Sequence, residues 1–105
     1  MHEWVNLTTR MGQSISRPTP SQLRDALEEL FSSQDEEHPD CWIECGAENG
    51  PLHSFSFFSS GRGIYTKYSD ADMTEEIQKK EHIVPDSNRA LQLWEHLIDE
   101  RYEEI

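Results

Sequence analysis

The sequence predicts an α+β fold: an antiparallel meander of three to four strands packed against two amphipathic helices as a two-layer sandwich. Three observations carry this. Apolar residues recur at helical spacing in two segments, 23–31 and 90–98. Between them, residues 41–68 alternate apolar and polar side chains with a period of two, broken at Asn49-Gly50 and at Gly61-Arg62-Gly63. The chain is 105 residues long, which suits a single domain over 1–105 with a thin core.

In chain order, Trp4 to Thr9 (WVNLTT) is a short, partly β-branched run that reads as a first strand, and Ser14-Ile15-Ser16 can continue as an edge strand. Thr19-Pro20-Ser21-Gln22 is a helix start: a threonine cap, a proline in the first turn and a glutamine three residues after the threonine. Leu23, Ala26, Leu27, Leu30 and Phe31 then mark the buried stripe of a helix over 20–33, with Arg24, Asp25, Glu28 and Glu29 on its other side. An acidic loop, 32–40, follows. Cys41, Ile43 and Cys45 alternate with Trp42 and Glu44 as a strand does. Leu52–Phe58 and Ile64–Tyr68 supply the next two strands, separated by the 59–63 turn.

Residues 73–84 (MTEEIQKKEHIV) have helix-like charges but no helical apolar stripe. A fourth, solvent-facing edge strand fits them better, and Lys79 and Lys80 suit an edge because lysine discourages pairing by a foreign strand. Pro85-Asp86-Ser87 opens the second helix, capped by Asp86 or Ser87, with Ala90, Leu91, Trp94, Leu97 and Ile98 as its stripe. Tyr102–Ile105 either adds a short strand or frays.

Charge narrows the function. Asp and Glu number 21 against 9 Lys and Arg, a formal net charge of -12, and the mean hydropathy is -0.82. Such a surface repels phosphate backbones and anionic membranes, so direct nucleic-acid and membrane binding are disfavoured. No apolar run approaches the roughly 18 residues of a membrane span. The start, Met1-His2-Glu3-Trp4, lacks the basic and apolar stretches of a secretory signal. A cytoplasmic location and reduced thiols at Cys41 and Cys45 are therefore expected.

The side chains offer little for catalysis. Cys41 and Cys45 lack the tight turn and the second ligand pair of a zinc site, with His53 or His82 only loosely associated, and read as buried thiols. The histidines, at 2, 38, 53, 82 and 96, show no ligand spacing. No nucleophile elbow surrounds Ser54, Ser56, Ser59 or Ser60, and the 61–63 segment is too short for a phosphate loop. The expectation is no enzyme, no metal and no cofactor, with a small enzyme or metal protein built on Cys41, Cys45 and His53 as the outlying alternative.

The acidic residues gather at Asp35, Glu36, Glu37 and Asp40; at Asp70, Asp72, Glu75 and Glu76; and at Asp99, Glu100, Glu103 and Glu104. Clusters like these keep a protein soluble, and they also attract basic partners from a distance.

The Trp42 strand, the Asn49-Gly50 hairpin, Gly61-Arg62-Gly63-Ile64-Tyr65, and Ile83-Val84-Pro85 leading into Ala90-Leu91-Gln92-Leu93-Trp94 resemble small bacterial immunity proteins. These are inhibitors that protect a cell from polymorphic or contact-dependent growth-inhibition toxins. The resemblance covers roughly residues 41–98 and departs after the second helix, where the chain ends Tyr102-Glu103-Glu104-Ile105 in place of a Gly-then-Trp tail. It implies a non-enzymatic protein that binds and neutralises a cognate toxin domain, often a nuclease or deaminase. The residues expected to meet such a partner are Asp35, Glu36, Glu37, Asp40, Asp70 and Asp72, with Trp42 or Tyr65 as an anchor on the uncovered sheet face. The competing reading is an acidic regulatory module or nucleic-acid mimic that inhibits a host enzyme. A monomer or weak homodimer is compatible with either.

Overall fold

The computed structural model describes residues 2–32, 40–47, 50–70, 72–73 and 75–105. Six strands form one open antiparallel sheet: β1 (Trp4–Thr8), β2 (Ser14–Ser16), β3 (Asp40–Gly46), β4 (Leu52–Phe58), β5 (Arg62–Tyr68) and β6 (Glu76–Ile83), in the order β2-β1-β3-β4-β5-β6. Helices α1 (Pro20–Ser32) and α2 (Ser87–Ile98) pack on each other and cover one face. The class is the expected one, but the sheet is larger than three or four strands. The β1–β2 hairpin joins the meander at β3, with Leu7 opposite Ile43 and Val5 opposite Cys45. That pairing crosses the whole of α1 in sequence, so no local pattern announces it.

The helix starts form as their residues dictate. Gln22 N–H donates to Thr19 Oγ1 at 3.1 Å while Thr19 N–H donates to Gln22 Oε1 at 2.8 Å, a closed capping box. Asp86 caps α2, its Oδ1 accepting from Arg89 N–H at 3.0 Å. Residues 76–83 are strand, as their missing helical stripe implied, and Tyr102–Glu104 form a single 3-10 turn rather than a strand. On α2 the fully buried positions are Ala90, Leu93, Trp94 and Leu97, with Leu91 and Ile98 packed at the margin.

The core lies between the helices and alternate residues of the sheet: Leu7, Cys41, Ile43, Cys45, Phe55, Phe57 and Tyr65 meet Leu23, Leu27, Leu30, Leu93, Trp94 and Leu97. The buried Trp94 indole donates to Phe55 O at 3.1 Å, so its one polar atom is satisfied by the central strand. Two glycines are demanded by the hairpin between β4 and β5. Gly61 turns the chain at φ +93°, and a Cβ there would sit 2.7 Å from Val84 O. At Gly63, which belongs to β5 rather than to the turn, a Cβ would stand 2.5 Å from the Phe57 ring. The ring fills the place of the missing side chain.

Candidate protein-docking face

Alternation sends another set to the face opposite the helices: Trp4, Asn6 and Thr8 from β1; Asp40, Trp42 and Glu44 from β3; Leu52, Ser54, Ser56 and Phe58 from β4; Arg62, Ile64, Thr66 and Tyr68 from β5; Lys79, Glu81 and Ile83 from β6, with Leu52 and Thr66 buried among them. Trp42 is half-buried here, its indole N–H donating to Glu44 Oε1 at 2.9 Å. The bond fixes the ring's orientation and holds a carboxylate at its edge. Asp40, Trp42, Glu44, Ser54, Ser56 and Met73 line a shallow depression of about 330 Å³. Met73 reaches it from the β5–β6 connection, where it takes the left-handed conformation, φ 58°.

That connection carries two of the expected acidic residues. Asp72 N–H donates to Asp70 Oδ1 at 3.1 Å and Met73 N–H to Asp70 O at 3.1 Å, a turn that leaves Asp72 exposed. Ser69 N–H closes its base on Glu75 O at 2.8 Å. Among the expected partner residues, then, Asp40 and Trp42 share the depression, and Asp70 and Asp72 belong to the turn that supplies its wall. Asp35, Glu36 and Glu37 lie outside the described residues.

Tyr65 is a correction. It stands opposite Phe55 on the helix-covered face, 3% exposed, and is not available as an anchor. Alternation within β5 separates Tyr65 from Ile64 but does not say which of the two points inward; the hairpin register decides it. Glu44, Ser54, Ser56 and Met73 are the site residues not picked out from the sequence. The strand period already placed Glu44 beside Trp42, whereas nothing local signals that Met73 folds over the sheet.

On the covered face, the groups with chemical potential are held inert. Cys45 lies opposite His53, and both point under the helices. Burial pushes the Cys45 thiol up to about 12, reinforced by the Glu100 carboxylate. The Cys41 thiol is likewise raised to about 12, by burial and then by Asp40 and Glu29. Neither supplies a thiolate near neutral pH. His53 Nδ1 and the Tyr65 hydroxyl share a hydrogen bond of 2.8 Å, with Tyr102 stacked on the imidazole at 5.1 Å between centroids and His2 edge-on at 5.3 Å. Burial, and then the neighbouring His2 and Lys67, lower His53 to about 4, so the ring is neutral. Among the described residues, no group of three His, Cys, Asp or Glu side chains converges to hold a metal ion. None of the described helices is long and apolar enough to cross a membrane.

A wider depression of about 570 Å³ lies beside β1, lined by His2, Glu3, Trp4, Val5, Arg17, Pro18 and Ile98. It contains neither Trp42 nor the acidic turn. Compared with known proteins, the chain matches no family model, no curated sequence and no solved structure.

Proposed function

We propose that this protein acts by binding: it is an immunity-type inhibitor whose open sheet face docks on a basic toxin domain and occludes its active site or substrate groove. The observation that supports this reading best is the Trp42 depression. An aromatic ring, held by its own hydrogen bond to Glu44 and flanked by Asp40, sits on the sheet face opposite the two described helices. A half-buried tryptophan of fixed orientation is the kind of anchor that contributes most of an interface's affinity. Carboxylates around it attract a cationic groove and speed the encounter. The overall charge of -12 extends that attraction beyond contact distance.

The test is rescue in cells expressing the toxin domain encoded beside this chain's own gene. Protection is expected from the wild-type protein. Trp42→Ala should lose it, with binding weakened by about 2 kcal/mol or more. Asp40→Lys combined with Glu44→Lys should mainly slow association, and the wild-type on-rate should fall markedly between about 0.05 and 0.5 M salt. Full protection by Trp42→Ala together with a salt-insensitive on-rate would remove the open face from the interface. Inhibition of a nucleic-acid enzyme of the host, with no toxin gene nearby, would favour the regulatory reading instead.

A further inference from the structure

β6 is the last strand of the sheet and, among the described residues, pairs only with β5. Its outer side is readable from the ladder. Val84 N–H donates to Gly61 O at 2.8 Å in continuation of the Arg62–Ile83 register. Val84, His82 and Lys80 therefore turn their backbone groups toward β5, and Ile83, Glu81 and Lys79 turn theirs outward. This edge is unlike the rest of the molecule. It presents two exposed isoleucines, Ile77 at 56% and Ile83 at 81%. Its two glutamates and two lysines cancel, on a chain whose net charge is -12.

We infer that the occupant of this edge is a second copy of the chain, joined by antiparallel pairing of β6 with β6 about a two-fold axis at Lys80. The registers that bring outward backbone groups face to face differ by steps of two residues. Centring the axis on Glu81 sets Glu81 against Glu81 of the second copy, and centring it on Lys79 sets Lys79 against Lys79. Centring it on Lys80 places Lys79 opposite Glu81 of the second copy, and the symmetry repeats the pair. The same register brings the exposed Ile83 toward the Ile77 end of the second copy's strand, where the register shift beside Gln78 and Glu76 interrupts the ladder. Opposite charges directly across a ladder stabilise it, whereas like charges destabilise it. This register also sets Lys80 against Lys80 of the second copy on the axis, but these side chains turn toward the helix layer, where Lys80 Nζ donates to Ile105 O at 2.9 Å and each ammonium is drawn away from the other. Lys79 thus has two effects: unpaired, it discourages a foreign strand, and in this one register it has a partner.

The axis runs perpendicular to the sheet, so the two six-stranded sheets continue into one and their open faces lie on the same side. A contact confined to one strand edge belongs with the small, weak interfaces, so a concentration-dependent equilibrium is expected rather than a permanent dimer. The assembly does not depend on the toxin-docking reading.

Sedimentation equilibrium of the full chain from about 10 µM to about 1 mM should show a monomer–dimer equilibrium. Backbone amides of Lys79, Glu81 and Ile83 should gain hydrogen-exchange protection as concentration rises, because their N–H groups enter the new ladder. Lys79→Glu converts both cross-strand pairs to repulsion and should weaken the dimer about tenfold or more. Exchanging the charges in Lys79→Glu/Glu81→Lys, made together with Arg62→Glu so that residue 81 keeps an opposite charge beside it in its own chain, should restore it. Ile83→Asp, at an exposed position, provides an independent loss that leaves the fold intact. A monomer throughout the range, a dimer indifferent to Lys79→Glu and Ile83→Asp, or a failed rescue in the folded triple variant would each overturn the assignment.

Discussion

His53 shows how one side chain couples the core to solution conditions. It is 3% exposed, hydrogen-bonded to Tyr65 and stacked on Tyr102, in a space where a charged imidazolium is poorly solvated. Its value of about 4 in the folded protein lies below the ordinary 6.5 that the unfolded chain would show. Between these two values the unfolded state binds the extra proton, so its contribution to stability is complete above about pH 6.5. It is lost as pH falls toward 4, by an amount on the order of 2–3 kcal/mol. We expect the urea midpoint to drop over this range and His53→Gln to flatten the drop. The His53 ring resonances followed by NMR should titrate near 4 rather than 6.5. A midpoint near 6.5 would mean that the packing of His2, Tyr65 and Tyr102 around the ring is looser than described.

Helices and strands here owe their ends to short-range chemistry and their positions to packing. Asp86 satisfies one of the free N–H groups at the start of α2, the helix that carries Trp94 and Leu97 into the core. Asp86→Ala should cost about 1 kcal/mol in chemical denaturation, and Asp86→Ser much less, since serine also caps. Equal losses from both would place the contribution of Asp86 elsewhere than the cap. Strand β6 differs from the other long strands in having one sheet neighbour among the described residues and hardly any burial, with Lys80 and His82 its only half-buried residues. Its order derives from β5 pairing and from the Arg62–Glu81 ion pair at 2.8 Å, an exposed contact of small net worth.

Taken whole, the molecule is a small core inside a strongly negative shell. The ion pairs Arg10–Glu29, Arg24–Asp25 and Arg62–Glu81 lie at 3.7, 3.8 and 2.8 Å, each with at least one partner well exposed, so they contribute little against the repulsion of a net charge of -12. Self-repulsion should therefore outweigh attraction, and screening should stabilise the fold. We expect the melting temperature to rise by several degrees between about 0.02 and 0.5 M sodium chloride. A fall would show that the exposed pairs dominate. The same long-range field that weakens the isolated fold would draw in a basic partner.

Much of this architecture is written locally. The Thr19–Gln22 box, the Asp86 cap, the two apolar helix stripes and the period-two run through Cys41, Ile43 and Cys45 depend on residues a few positions apart, and the folded chain uses them as spaced. The burial of both cysteines follows from that run, and the acidic excess from composition alone. Three features needed the assembled chain. Joining β1 to β3 requires two segments separated by a helix to meet, and the order β2-β1-β3 leaves no periodic trace. Tyr65 turned inward because a hairpin's register, not its alternation, selects the buried face. Met73 reached the Trp42 depression through a left-handed turn that nothing in its neighbourhood demands. Spacing along the chain specifies which residues can share a side of an element, but only long-range packing settles which side meets the helices and which meets solvent.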